Sequence, residues 1–140
     1  MCYDAYNYPI NPAQLYNSTS FGFSHAVLQR GGNTVHLAGQ VAWDAQYVVQ
    51  GGDSILGQAP YVLANLKAVL AEVGATPADI VRLRTYLVNH TTEDVMGLSA
   101  LLNDFYAGHT PAANTLLGVS QLALPDFRIE IEATAVVPER

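Results

Sequence analysis

At 140 residues the chain has the length of one domain, and its 13% of charged residues is about half the ~25% of an ordinary globular protein. Twelve acidic residues stand against six basic ones scattered along the chain, so no phosphate-tracking patch exists and nucleic acid is not an expected partner. Cys2 is the only cysteine, which excludes an intrachain disulfide, and neither a secretory leader nor a run of ~18 apolar residues is present, so a cytoplasmic chain without membrane contact is expected.

The first 22 residues, rich in Tyr, Asn and Pro and without periodicity, read as an irregular arm. His25 to Gln29 and Thr34 to Gln40 are extended runs joined by Arg30-Gly31-Gly32-Asn33, the pattern of a hairpin. A weaker extended piece covers Tyr47 to Val49. Asp53 is placed to cap a helix whose apolar positions, Ile55, Ala59, Val62, Leu63, Leu66, Val69, Leu70 and Val73, recur in steps of three and four. Gly74 falls at the position of a left-handed cap, and Pro60 predicts a kink. Ile80 to Val88 alternates, with Val81, Leu83, Thr85 and Leu87 opposite Arg82, Arg84 and Tyr86. Thr91 and Asp94 form a capping box before a second helix striped by Val95, Leu98, Leu101, Leu102 and Phe105 and closed near Gly108. Thr115 to Val119 and Ile129 to Val137 are the last strands.

The whole of residues 1–140 is read as one α+β domain, a mixed sheet with both helices on one face. So few charges leave part of the surface apolar, and an apolar patch on a small protein marks an interface, so an oligomer is expected.

Several short motifs in this order resemble the RidA (YjgF) family. They are Phe23-Ser24-His25-Ala26-Val27, Ala38-Gly39-Gln40, Gly52-Asp53 with Gln58 and Asn65-Leu66, Phe105-Tyr106, Pro111-Ala112, and Ile129-Glu130-Ile131-Glu132-Ala133. The resemblance implies a chorismate-mutase-like fold and a homotrimer with small-molecule clefts between subunits. It also implies hydrolysis of reactive enamines and imines to carbonyl compounds and ammonia, without a cofactor or metal. In that family an arginine after the Pro-Ala pair clamps the substrate carboxylate, and a glutamate in the last strand positions the attacking water. The glutamate falls on Glu130. The arginine position falls on Asn114, with Ala113 and Thr115 one residue to either side, and none of the three is a cation. A cleft tyrosine becomes Phe23, a second-helix asparagine becomes Ser99, and a cysteine after the arginine becomes Leu116, while Ser24 and Gly39 keep the pattern.

The catalytic candidates are therefore Glu130 and Asn114, and the substrate-binding candidates are Phe23, Ser24, Gly39, Trp43, Ser99 and Thr115. Asn114 is either a ligand-contacting amide or a turn residue after Pro111-Ala112-Ala113. Arg82 and Arg84 either replace the lost clamp or make ordinary surface ion pairs. Trp43 and Tyr47 either wall a cleft or pack beneath the arm. His25, His36, His90 and His109 lack the spacing of a metal site. Two functions remain: an imine or enamine deaminase for an atypical substrate, and a non-catalytic trimer that binds a small metabolite.

Overall fold

A computed structural model describes residues 6–139. Six strands and two long helices follow in the order β1 (Tyr6–Ile10), β2 (Ala26–Arg30), β3 (Asn33–Gln40), α1 (Ile55–Glu72), β4 (Ile80–Val88), α2 (Thr92–Phe105), β5 (Ala113–Val119) and β6 (Ile129–Val137). The main sheet runs β3-β6-β4-β5, with β6 antiparallel to both neighbours and β5 parallel to β4. A parallel pair needs a crossover long enough to return the chain to its starting end, and α2 supplies it.

Alternation along the strands decides what is buried. Ile129, Ile131, Ala133 and Ala135 of β6, with Leu83 and Leu87 of β4, face the helices and join Leu63, Leu66, Leu70, Leu98, Leu102 and Phe105 in one apolar cluster. Each leucine, isoleucine or phenylalanine among them contributes roughly 1.5–3 kcal/mol on leaving water, and each alanine less. The opposite face of the sheet carries Glu130, Glu132, Thr134, Arg82, Arg84 and Tyr86, and no helix among the described residues packs on it.

The α+β architecture is as expected, and so is the Thr91–Asp94 capping box, in which the Asp94 N–H donates to Thr91 Oγ1 at 3.2 Å and the Thr91 N–H to Asp94 Oδ2 at 2.9 Å. Gly74 takes the left-handed conformation (φ 70°) beyond α1, where Ala75 N–H donates to Leu70 O.

Several local expectations are corrected. Part of the arm is regular: β1 pairs antiparallel with β2, and this two-stranded ribbon is separate from the main sheet. The hairpin between the second and third strands does not form, because β2 spends its hydrogen bonds on β1 while β3 takes β6. The last two strands are not neighbours either, since β6 inserts between β3 and β4. Tyr47 to Val49 is part of a tight turn in which the Asp44 carboxylate accepts from the N–H groups of Gln46 and Val48. Ser54 caps α1, accepting from Gly57 N–H, while Asp53 pairs with Arg128 at 2.9 Å. Pro60 lies inside α1, which runs as one helix from Ile55 to Glu72. Finally, a bulge between Ile80 and Arg82 makes Ile80 the first residue of the buried face of β4, displacing Val81 from it.

Candidate functional site

Asn114 is a strand residue, not a turn residue. It lies in β5, an edge strand, opposite Leu83 of β4, and points to the helix side of the sheet. There its Oδ1 accepts from the hydroxyl of Thr85 at 3.1 Å. Two adjoining concavities meet at Phe23, Asn114 and Thr115. The outer one, about 550 Å³, is polar and also reaches Ser24, His25, Gln29 and Arg82. The inner one, about 410 Å³, is walled by Tyr16, Phe21 and Phe23 and by Leu98, Ser99 and Leu102 of α2.

The aromatic wall is a built cluster. Tyr16 lies edge-on to Phe21, Phe23 and His25, and its carbonyl is 2.9 Å from His25 Nε2. Ser24 latches this segment to β5: its N–H donates to Ala112 O at 2.9 Å and its hydroxyl to Pro111 O at 2.5 Å. Its one proton is so committed, and its oxygen already accepts from Asn11 Nδ2 at 3.2 Å, so Ser24 is engaged within the chain on both sides. Ser99 likewise donates to Val95 O, one helical turn back. Arg82 stands at the polar mouth, on the far face of β4, and Arg84 sits beside Glu132 in a shallower hollow.

The remaining candidates are elsewhere. Glu130 lies on the uncovered face of β6, opposite Tyr86. Gly39 of β3 leaves room for it: a Cβ there would fall 2.5 Å from Glu130 Oε2. Burial raises the Glu130 pKa above the ordinary carboxylate value, and the charge of Glu132 adds to the effect. Glu132 accepts a short hydrogen bond, 2.5 Å, from the Tyr86 phenol. Trp43, just after β3, packs edge-on against Phe127 and Tyr47 at 5.0 and 5.3 Å, and its carbonyl accepts from Asn65. It lines neither concavity beside Asn114.

The eight candidates thus fall into two groups. Phe23, Ser24, Ser99, Asn114 and Thr115 gather at the β5 edge, and Gly39, Trp43 and Glu130 at the β3–β6 edge. Two strand spacings of ~4.8 Å and three residues of ~3.3 Å put the alpha carbons of Asn114 and Glu130 about 14 Å apart. Their side chains also point to opposite faces. Within one chain they cannot hold the same small molecule.

A family model described as Endoribonuclease L-PSP matches residues 17–137. The chain belongs to the RidA/YjgF family. A solved RidA-type relative, a protein of unknown function of the conserved Rid family from Yersinia pestis, is 54% identical with a TM-score of 0.91, covering 94% of this chain and 98% of that one. A 2-iminobutanoate/2-iminopropanoate deaminase of Dermatophagoides farinae is 29% identical over 106 residues, 76% of this chain and 80% of the relative. A RutC family protein of Pyrococcus horikoshii is 33% identical over 118 residues, 81% of this chain and 85% of the relative. No helix among the described residues is long and apolar enough to cross a membrane.

Tyr16, Leu98 and Leu102, which line the inner concavity, and Thr85, which bonds to Asn114 behind it, were not among the sequence candidates. The two leucines lie in a helical stripe indistinguishable from core. Thr85 did carry a signal: it is the one hydroxyl in the apolar alternation of β4.

Proposed function

We propose that the chain acts as a cytoplasmic homotrimer in which the β5 edge of one copy meets the β3–β6 side of the next, and that this shared cleft hydrolyses the C=N bond of an imine, or of an enamine once it has tautomerised to the imine. The carrying observation is the division of the site residues between two edges of one sheet. Two different edges that complete each other make a head-to-tail contact, and such contacts close into rings. Tyr6, Tyr8, Ile10 and Leu28 of the ribbon and Leu117 of β5 are exposed apolar side chains available for burial in such a contact. The name of the Dermatophagoides relative supports the reaction class.

In this reading the substrate rests against Phe23 and Thr115 and takes a hydrogen bond from Asn114. Glu130 of the adjoining copy accepts a proton from water as its oxygen attacks the C=N carbon and passes that proton to the nitrogen, giving a carbinolamine. Transfer of the carbinolamine hydroxyl proton to the nitrogen, again through Glu130, breaks the C–N bond and releases ammonia and the carbonyl product. A carboxylate held in partial burial is suited to this proton traffic, because its raised pKa brings it nearer the operating pH. Asn114 gives a second reading its support: with no cation at the clamp position, the cleft is also suited to holding a metabolite without transforming it.

Ammonia release from freshly generated 2-iminopropionate and 2-iminobutyrate, against a no-protein control, tests the proposal. Acceleration above the control supports hydrolysis without the arginine. No acceleration from a folded trimer closes the small imino-acid branch and favours the binding reading. A monomer by light scattering refutes the shared cleft.

A further inference from the structure

Thr85 is fully buried on a face otherwise made of Leu83, Leu87, Ile129 and Ile131. A hydroxyl in that setting must donate, because an orphaned buried donor loses the water it would otherwise bond. The acceptor it finds is Oδ1 of Asn114, at 3.1 Å. That bond fixes which way the Asn114 amide points. If the amide turned over, Nδ2 would donate to the hydroxyl oxygen and the buried Thr85 proton would be left without an acceptor. The Nδ2 group, with its two N–H donors, is therefore held away from Thr85 and left for the cleft.

The inner chamber that Asn114 borders holds no charged side chain: its walls are aromatic and aliphatic apart from Ser99, Thr115 and Asn114 itself. Its volume of about 410 Å³ lies within the ~300–1,000 Å³ range of small-molecule sites. A carboxylate entering it would shed strongly held water and find no opposite charge among the described residues of the lining to offset that loss. A neutral carbonyl loses less water and finds the same two donors.

We infer that Thr85 and Asn114 together form a reader for an uncharged carbonyl group, so that the ligand of this cleft carries a neutral amide, ester or ketone carbonyl, in place of the carboxylate of an imino acid, on an aromatic or branched apolar body, with Thr85 as the positioning residue. The inference rests on the β5 cleft being the ligand site of the proposed function and extends that proposal to a substrate class.

Calorimetry with the assembled protein tests it by comparing phenylacetamide with phenylacetate, which share a body and differ in head-group charge. The amide is expected to bind at least about tenfold tighter, roughly one charged-partner hydrogen bond's difference. Asn114→Ala should abolish that preference, and Thr85→Val should weaken it while leaving the contribution of the phenyl body in place. Because Asn114→Ala strands the Thr85 hydroxyl, the double variant Asn114→Leu with Thr85→Val, which removes both polar partners, serves as the folded control and should also lose the preference. Equal or tighter binding of phenylacetate overturns the inference, and if that preference vanishes in Arg82→Ala the guanidinium at the mouth is the reader instead. An amide preference that survives both Asn114 variants overturns it, as does no binding of either probe at about 10 mM. These ratios do not depend on turnover, so a protein inactive on the imino acids that still prefers the amide would close the small imino-acid branch and leave this inference standing.

Discussion

Gln58 lies in the first turns of α1 and has no solvent exposure, yet its amide makes three hydrogen bonds to backbone. Its Nε2 donates to Gly52 O at 3.0 Å and to Asp126 O at 2.9 Å, and its Oε1 accepts from Arg128 N–H at 2.8 Å. One side chain thus ties the loop before α1 to the segment that enters β6 two residues before Glu130. Gln58→Leu keeps the volume and removes all three bonds. Gly52 and Asp126 are exposed residues whose carbonyls can regain water, so each costs about 1 kcal/mol, the net value of an ordinary hydrogen bond. The Arg128 N–H is more sheltered, and leaving it unpaired costs about 2 kcal/mol. Leucine recovers about 1 kcal/mol through its greater apolar burial, so the expected net loss is about 3 kcal/mol. For a chain of this size that lowers Tm by about 10–15 °C. Thermal unfolding followed by circular dichroism, at one fixed protein concentration because assembly adds to apparent stability, reads this directly. A decrease below about 3 °C would show that the three bonds are replaced by water at little cost, and would refute the reasoning.

Three further outcomes follow from the site. Because Glu130 is held above its ordinary pKa, the folded chain binds that proton more tightly than the unfolded chain. The stability this gives is full below the unfolded value of about 4.3 and is lost as pH rises through the raised folded value. Glu130→Gln should therefore gain on wild type in urea unfolding as pH increases across that window, and parallel pH profiles would contradict the assignment. In the same variant any imine turnover should disappear. Gly39→Ala places a methyl 2.5 Å from Glu130 Oε2, 2.8 Å from its Cδ and 2.9 Å from its Cγ, so the whole Glu130 side chain should swing aside. Turnover should then fall as in Glu130→Gln with Tm unchanged within about 3 °C, less than about 1 kcal/mol, whereas a larger fall in Tm would point to strain in β3. Asn114→Arg should create affinity for small ketoacids such as pyruvate, measured by calorimetry; absence of binding by the folded variant would count against placing the cleft beside β5.

Much of the fold was legible because burial imposes periodicity on sequence. The steps of three and four from Ile55 to Leu70 can only be one face of a helix, and the alternation through Ile129 to Val137 can only be a strand. The capping box of Thr91 and Asp94 is likewise a local matter, settled within four residues. Pairing partners were not local. The Gly31-Gly32 turn permits a hairpin between β2 and β3, but β1, hidden among tyrosines and prolines, competes for β2, while β6 reaches β3 from more than 90 residues away.

The site divides along the same line. Sequence determined which chemistries are present: a carboxylate at Glu130, an amide at Asn114 where the family pattern has a cation, and a glycine at Gly39. Only the tertiary structure decided their relation, because the parity of a residue in its strand and the place of that strand in the sheet jointly set where a side chain points. Glu130 and Asn114 differ in both, and so stand on opposite faces, two strands apart. The same parity put Thr85 beneath Asn114, turning an isolated hydroxyl in an apolar strand into the group that orients the amide.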